Sequence, residues 1–358
     1  LLAQKDSTHF VFTVQTDSMG WSNDSSYMIL LDTAFSYNFD VDWDNDGVFE
    51  DTAVTDTIRH QYAAPGEYTI RIRGDFPSIK FGLLYSDKRK VKALDQWGTT
   101  QWSDLTAAFR GCRNLEYKAT DIPDLSNITN LDVMFQGAKK FNGDINDWDV
   151  STITSMVGTF ADCAYFNQDL DNWDVSNVTN MVQMFANAPS FNGNISNWDV
   201  SKVESTASMF SYLNTWFRPS PVDSSSFNQD LSSWDMSSNK NTYNMFFGAE
   251  SFNQDISNWD VSKVTDMSRM FQYASKFNQD ISKWNVSQVK NMSYMFYVAP
   301  KFNQDISSWN VSRVWNMYGM LGGATDFNQN LGDWSVDSVQ YLALMFTSTA
   351  MSTENYDS

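Results

Sequence analysis

The sequence predicts an α/β repeat solenoid, with one short strand and one short helix per coil, preceded by an all-β sandwich. Three observations carry that prediction. Trp148, Trp173 and Trp198 stand 25 residues apart, as do Trp234, Trp259, Trp284, Trp309 and Trp334, and the one break between the two series is 36. Within a period, apolar residues recur at intervals of three and four, as in Val178, Met181, Phe185 and Ala188, the spacing of one face of a helix. Residues 8–95 lack the period and alternate apolar with polar residues, as half-buried strands do.

Composition bounds the rest. The 358 residues include 43 acidic and 24 basic side chains, for a net charge of -19, and 15% are aromatic. This length accommodates about two domains. The aromatic content excludes a disordered chain, and the acidity argues against nucleic acid and against an anionic membrane face. Two Cys and two His are too few for a disulfide scaffold or a four-Cys zinc site, and leave little for a histidine-based catalytic site. No run of 18 apolar residues occurs, so no transmembrane segment is expected.

In chain order, Leu1-Leu2-Ala3-Gln4 reads as the last stub of a secretory signal peptide, with an arbitrary boundary as the alternative; residues 1–7 are taken as remnant and leader. In 8–95, the runs Phe10–Val14, Tyr37–Trp43 and Tyr68–Ile72 are separated by the turn pairs Asp46-Gly47 and Pro65-Gly66. That is the pattern of a small antiparallel β-sandwich. Asp42, Asp44 and Asp46 ahead of Gly47 also read as the start of a calcium loop. Ala53 stands where an EF-hand needs its Glu, and Glu50 or Asp51 would substitute. The alternative is an acidic hairpin turn. The stretch His60–Ile70, with Asp42-Trp43-Asp44-Asn45-Asp46-Gly47 at the position of a conserved acidic turn, resembles the PKD-type immunoglobulin-like domain, and His60 is expected to order the sandwich.

Residues 96–358 hold about ten repeats, numbered here from each Trp as zero, with two weaker copies starting at Trp97 and Pro123. The apolar stripe at +5, +8, +12 and +15 predicts a helix from about +4 to +14, with Ser176 at +3 as its N-cap. Ile256 to Val261 predicts a short strand. A unit of this size cannot close a core alone, whereas stacked units can. Asn recurs at +19 (Asn142 through Asn328) and is expected to bond the backbone of neighbouring turns. Asp recurs at +21 (Asp144 through Asp305), as a turn cap or, alternatively, as a calcium ligand between coils. Cys112 and Cys163 fall at +15, where other copies carry Ala. Two coils put them roughly 10 Å apart, beyond the reach of a disulfide of about 7 Å, so two buried free thiols are expected.

The words Phe252-Asn253-Gln254-Asp255-Ile256-Ser257-Asn258-Trp259-Asp260-Val261-Ser262 resemble the BspA-like bacterial surface proteins. The resemblance covers residues 97–358. It implies a leucine-rich-repeat-like solenoid, secreted or anchored at the cell surface or outer membrane, in a family associated with adhesion and protein binding. Ser352–Asp357 looks like that family's C-terminal cap cut short.

Two features break the repeat pattern. The insertion at 211–223 carries Trp216, Phe217 and Arg218, and insertions in repeats reach out from one face. Tyr243, Tyr273, Tyr294, Tyr297, Trp315 and Tyr318 gather at outward positions of the later repeats, to anchor a partner or to pack laterally between coils. No nucleophile elbow, Ser-His-Asp order or His-rich metal motif occurs, and paired Asp that recur in every coil suit structure rather than one catalytic site. The expectation is therefore a non-enzymatic recognition or adhesion protein, binding a surface or extracellular protein, within a surface-associated complex. The alternative is a carbohydrate-binding accessory protein that takes a glycan. No cofactor is expected, calcium at Asp42, Asp44 and Asp46 aside.

Overall fold

The computed structural model describes residues 7–213 and 224–356. Two compact units make up the chain, Leu1–Gln168 and Asp169–Ser358. Strands β1 (Phe10–Gln15), β2 (Ser26–Ile29), β3 (Asn38–Asp42), β4 (Asp51–Val54), β5 (Ile58–Gln61), β6 (Glu67–Asp75), β7 (Val91–Gln96) and β8 (Glu116–Tyr117) all lie in the first unit. Six form one sheet in the order β4-β3-β6-β1-β7-β8, and β2 pairs with β5 in a second, two-stranded sheet. The expected antiparallel sandwich is thus corrected to a mixed sheet, because β7 and β8 run parallel. Strand β8 comes from the first repeat, so the edge of the N-terminal sheet is completed by repeat sequence. The sheets meet through Phe12 against Tyr27 at 5.8 Å and Trp43 stacked on His60 at 4.8 Å. His60 has the packing role read from the sequence.

The repeats are not α/β coils. Among the described residues the one α-helix is α1 (Thr353–Tyr356), and strand is the prevailing regular structure. Ser176 caps no helix; its N–H donates to Asp174 Oδ1 at 3.0 Å. Residues Ile256–Val261 form a turn, closed by Trp259 N–H to Ile256 O at 3.2 Å, and no strand. The region expected to be helical is instead a run of overlapping tight turns. In the coil of Trp259, N–H groups at +11, +13 and +15 (Met270, Gln272, Ala274) bond carbonyls three residues back. Those at +8, +10, +12 and +14 (Met267, Arg269, Phe271, Tyr273) bond Asn291, Ser293, Met295 and Tyr297 of the next coil at 2.9–3.0 Å. The first unit shows the same rungs at Leu131, Val133, Phe135 and Gly137.

Backbone handedness explains the difference. Positions +10 and +14 take positive φ, as at Arg269 (58°) and Tyr273 (62°), and a left-handed residue every fourth position interrupts a right-handed helix. The apolar stripe is nevertheless buried as the spacing required: Val264, Met267, Phe271 and Ala274 are all inaccessible. Within the second unit, Phe246, Phe271 and Phe296 stack at 5.5 and 5.6 Å between coils, and Trp259, Trp284 and Trp309 at 6.3 and 6.5 Å. Each of these indoles is also satisfied: Trp284 Nε1 and Trp309 Nε1 donate to Ile256 O and Ile281 O at 3.1 Å. A buried Phe at that place would leave the carbonyl without this donor.

Candidate functional site

The aromatic residues of the later repeats are placed by the rungs themselves. Tyr273 N–H bonds Tyr297 O and Tyr294 N–H bonds Tyr318 O, each at 2.9 Å, so successive coils carry their rings in register. Asn side chains two residues upstream fix others, with Tyr318 N–H on Asn316 Oδ1 at 3.0 Å and Tyr243 N–H on Asn241 Oδ1 at 2.9 Å. The result is a continuous edge-to-face run. Tyr273 meets Tyr297 at 6.1 Å, Tyr297 meets Tyr294 at 5.3 Å, and Tyr294 meets Tyr318 at 5.2 Å.

Arg269 lies over Tyr294, 5.1 Å from the ring centre, and Phe247 closes the near end against Tyr273 at 5.4 Å. Trp315 belongs to a second pair, with Tyr341 at 5.7 Å. Tyr243, Tyr273, Trp315 and Tyr341 are exposed, while Tyr294, Tyr297 and Tyr318 are half-buried. Lateral packing and surface presentation therefore coexist: the rings use their edges on each other and keep part of their area outward. Desolvation, and next the neighbouring Tyr318, raises the Tyr294 pKa, which keeps its hydroxyl a donor.

Sequence reasoning missed Arg269, Phe247 and Tyr341. Register held the signal for two of them. Arg269 shares position +10 with Tyr294, and Tyr341 shares +7 with Asn291 and Asn316. Trp216, Phe217 and Arg218 lie outside the described residues.

The acidic turn between β3 and β4 brings the carboxylates of Asp42, Asp44, Asp46 and Glu50 within 4.8 Å of one another. Asp42 is buried, and its two oxygens accept N–H groups of Asp46 at 3.2 Å and Gly47 at 3.0 Å. Asp46 Oδ1 accepts from Val48 N–H at 2.7 Å, and Glu50 Oε2 from Trp43 N–H at 3.0 Å. These bonds form the acidic hairpin turn, and the same four carboxylates are the group that would hold the calcium ion of the other reading of the sequence. Along the repeats most of the Asp column caps its own turns: Asp280 and Asp305 accept from the N–H groups of Ser282 at 2.9 Å and Ser307 at 3.0 Å, whereas Asp169 accepts from Asn194 N–H of the next coil at 2.7 Å. Hydrogen bonds from those serines hold the Asp280 and Asp305 carboxyls below the ordinary range. Both thiols, Cys112 and Cys163, are buried and unbridged, and burial pushes both up in pKa.

A family model described as "Mycoplasma protein of unknown function, DUF285" matches residues 88–220, 222–305 and 280–358. The chain belongs to this family. No curated protein and no solved structure matches it. The first DUF285 match begins three residues before β7, so the family's sequence takes in that strand as well as the repeats. The gap between the first two matches, at residue 221, falls inside the insertion where the 25-residue period breaks. Among the described residues no helix is long and apolar enough to cross a membrane.

Proposed function

We propose that this DUF285 chain is a non-enzymatic recognition protein, secreted or held at a bacterial cell surface, that binds a surface or extracellular protein through the aromatic run of its later repeats. One observation carries the reading. Tyr273, Tyr297, Tyr294 and Tyr318 form an unbroken run across successive coils at positions outside the core, with an arginine over it. Tyr, Trp and Arg are the residues that dominate protein interfaces, and rings already braced by their neighbours lose little freedom on binding. The likeness of the repeat words to BspA-like adhesion proteins points the same way. The hydrogen bonds of Asp144, Asp230, Asp255, Asp280 and Asp305 to their own turns, and of Asp169 to Asn194 of the next coil, support a structural use of the acids over a catalytic one.

Cross-linking and pull-down from the native cell surface test this, comparing the unaltered chain with a Trp315→Ala/Tyr318→Ala variant. Capture is expected to fall about tenfold or more while the melting temperature stays close to that of the unaltered chain. Undiminished capture discards the aromatic run. Glycan-array binding lost in the same variant, with no protein captured, would replace the protein partner with a carbohydrate.

A further inference from the structure

Four large apolar side chains project from two loops of the first unit: Met19 is 71% exposed, Trp21 58%, Leu84 76% and Tyr85 68%. The rings of Trp21 and Tyr85 meet at 4.8 Å. Exposed apolar residues scattered singly need no explanation, but four on two loops that meet through the Trp21–Tyr85 pair do.

The loops beneath it are rigidly held. Asp87, buried, accepts the N–H groups of Trp21 at 2.7 Å and Ser22 at 2.8 Å, and the Ser22 hydroxyl at 2.6 Å. Lys90, fully buried, donates to the carbonyls of Ser22 at 3.1 Å, Asn23 at 2.6 Å and Ser26 at 2.9 Å. A Cβ at Gly20 would fall 2.5 Å from Lys90 Cε and 2.6 Å from Asp87 Oδ1, so a larger residue there would have to displace the side chains that hold the loop. Burying a lysine and an aspartate is costly and is sustained only by such complete bonding; what it secures is the loop that carries Trp21. Tyr85 itself sits at φ 62°, a conformation disfavoured for a bulky residue and maintained only by its surroundings.

Around this tip cations outnumber acids: Lys88, Arg89, Arg110 and Arg113 stand against exposed Asp17 and Asp24, while buried Lys90 is matched by buried Asp87. Against a net charge of -19, the second loop ends in Lys88-Arg89-Lys90, and it lies on the first repeat beside Arg110 and Arg113. A Cβ at Gly82 would meet Arg110 Cβ at 2.6 Å, and one at Gly111 would meet Lys88 Cδ at 3.2 Å. Asn114 Nδ2 bonds Arg89 O at 2.9 Å, and the Arg89 guanidinium lies against the Met19 sulfur. The Lys88 pKa is lowered, first by desolvation and further by Arg110, Arg89 and Arg113.

We propose that this tip docks on an anionic lipid surface, with Met19, Trp21, Leu84 and Tyr85 entering the headgroup boundary and Arg89, Arg110 and Arg113 facing lipid phosphates. Side chains that project need no complementary pocket, as a protein partner would supply, and Trp and Tyr favour the membrane interface. Cations beside them are drawn to anionic headgroups. The whole-chain acidity argued against this partner; the local clustering of cations reverses that at one place. The inference stands independently of the proposed protein partner.

Sedimentation of the full chain with vesicles tests it at low salt, using phosphatidylcholine alone or mixed with phosphatidylglycerol. Binding is expected to the mixed vesicles and not to phosphatidylcholine alone. Trp21→Ser/Leu84→Ser should weaken it about tenfold or more with unchanged melting, and Arg110→Gln/Arg113→Gln should remove most of its salt dependence. No binding to the mixed vesicles overturns the proposal, as does full binding by either double variant. Capture of a protein lost with Trp21→Ser/Leu84→Ser, without vesicle binding, would make the tip a protein interface instead.

Discussion

Asn278 does the work of two rungs. Its Oδ1 accepts the N–H of Asn303 and the Nε2 of Gln304, both at 2.9 Å, and its own N–H donates to Asn253 Oδ1 at 2.9 Å. The chain at this corner has no strand ladder to satisfy its backbone, so a side-chain amide replaces one at each coil. Asn278→Ala should therefore cost about 1–3 kcal/mol, the penalty for a partly buried donor left unpaired. Asn278→Asp, which keeps the acceptor, should cost less. Urea unfolding of the two variants checks this, and equal losses would mean the bond is not what the residue contributes. The Asn column was legible in the sequence because a polar residue recurring inside a stacked repeat has to bond its copies. The Gln beside it completes the bonding, as does Asn355, whose Nδ2 reaches Asn328 O at 3.0 Å after the last repeat.

At the scale of the element, burial was legible and backbone conformation was not. Spacings of three and four place side chains on one face of a helix, and they do so equally in overlapping turns that close every three residues. What separates the two is the residue at +14, which is Gly111, Gly137, Gly248 or Gly323 in four copies and Asp162 or Asn187 in two more. These residue types tolerate positive φ best, and a glycine in the middle of a helical stripe was the available sign. Gly248 has φ 66°, and a Cβ there would lie 2.1 Å from Tyr212 O. Gly248→Ala should cost about 2–4 kcal/mol through left-handed strain and that clash, read from the denaturation midpoint. A stretch of ordinary helix would instead be stabilised by about 1 kcal/mol by the same change. Far-UV circular dichroism of the unaltered chain should also lack the double minimum of helix. The aromatic run was legible as a set of outward residues, but which rings touch depends on the rung register, and that follows from the turns.

For the whole molecule, net charge alone concealed both the local cations around Trp21 and the way the acids are used. Many aspartates are caps: Asp149, Asp199, Asp260, Asp280 and Asp305 are all held below the ordinary carboxyl range by serine hydrogen bonds. A carboxyl whose folded pKa is depressed stabilises the fold above its unfolded pKa of about 3.9, and that contribution is lost as pH falls through the folded value. A second effect runs the other way. The charge of -19 at pH 7 declines toward zero near the pI of 4.3, which relieves self-repulsion. Because the depressed caps stay ionised down to the pI, the two effects separate in pH. The melting temperature should hold or rise from pH 7 to about 4.5 and then drop steeply below about pH 3.5. Added salt should raise it at pH 7, where repulsion is largest, and have little effect near the pI. Calorimetry across this range decides. A rise continuing to about pH 3 would mean that the caps contribute nothing, and a fall already between pH 7 and about 5 would mean that repulsion among the acids is not the dominant charge effect.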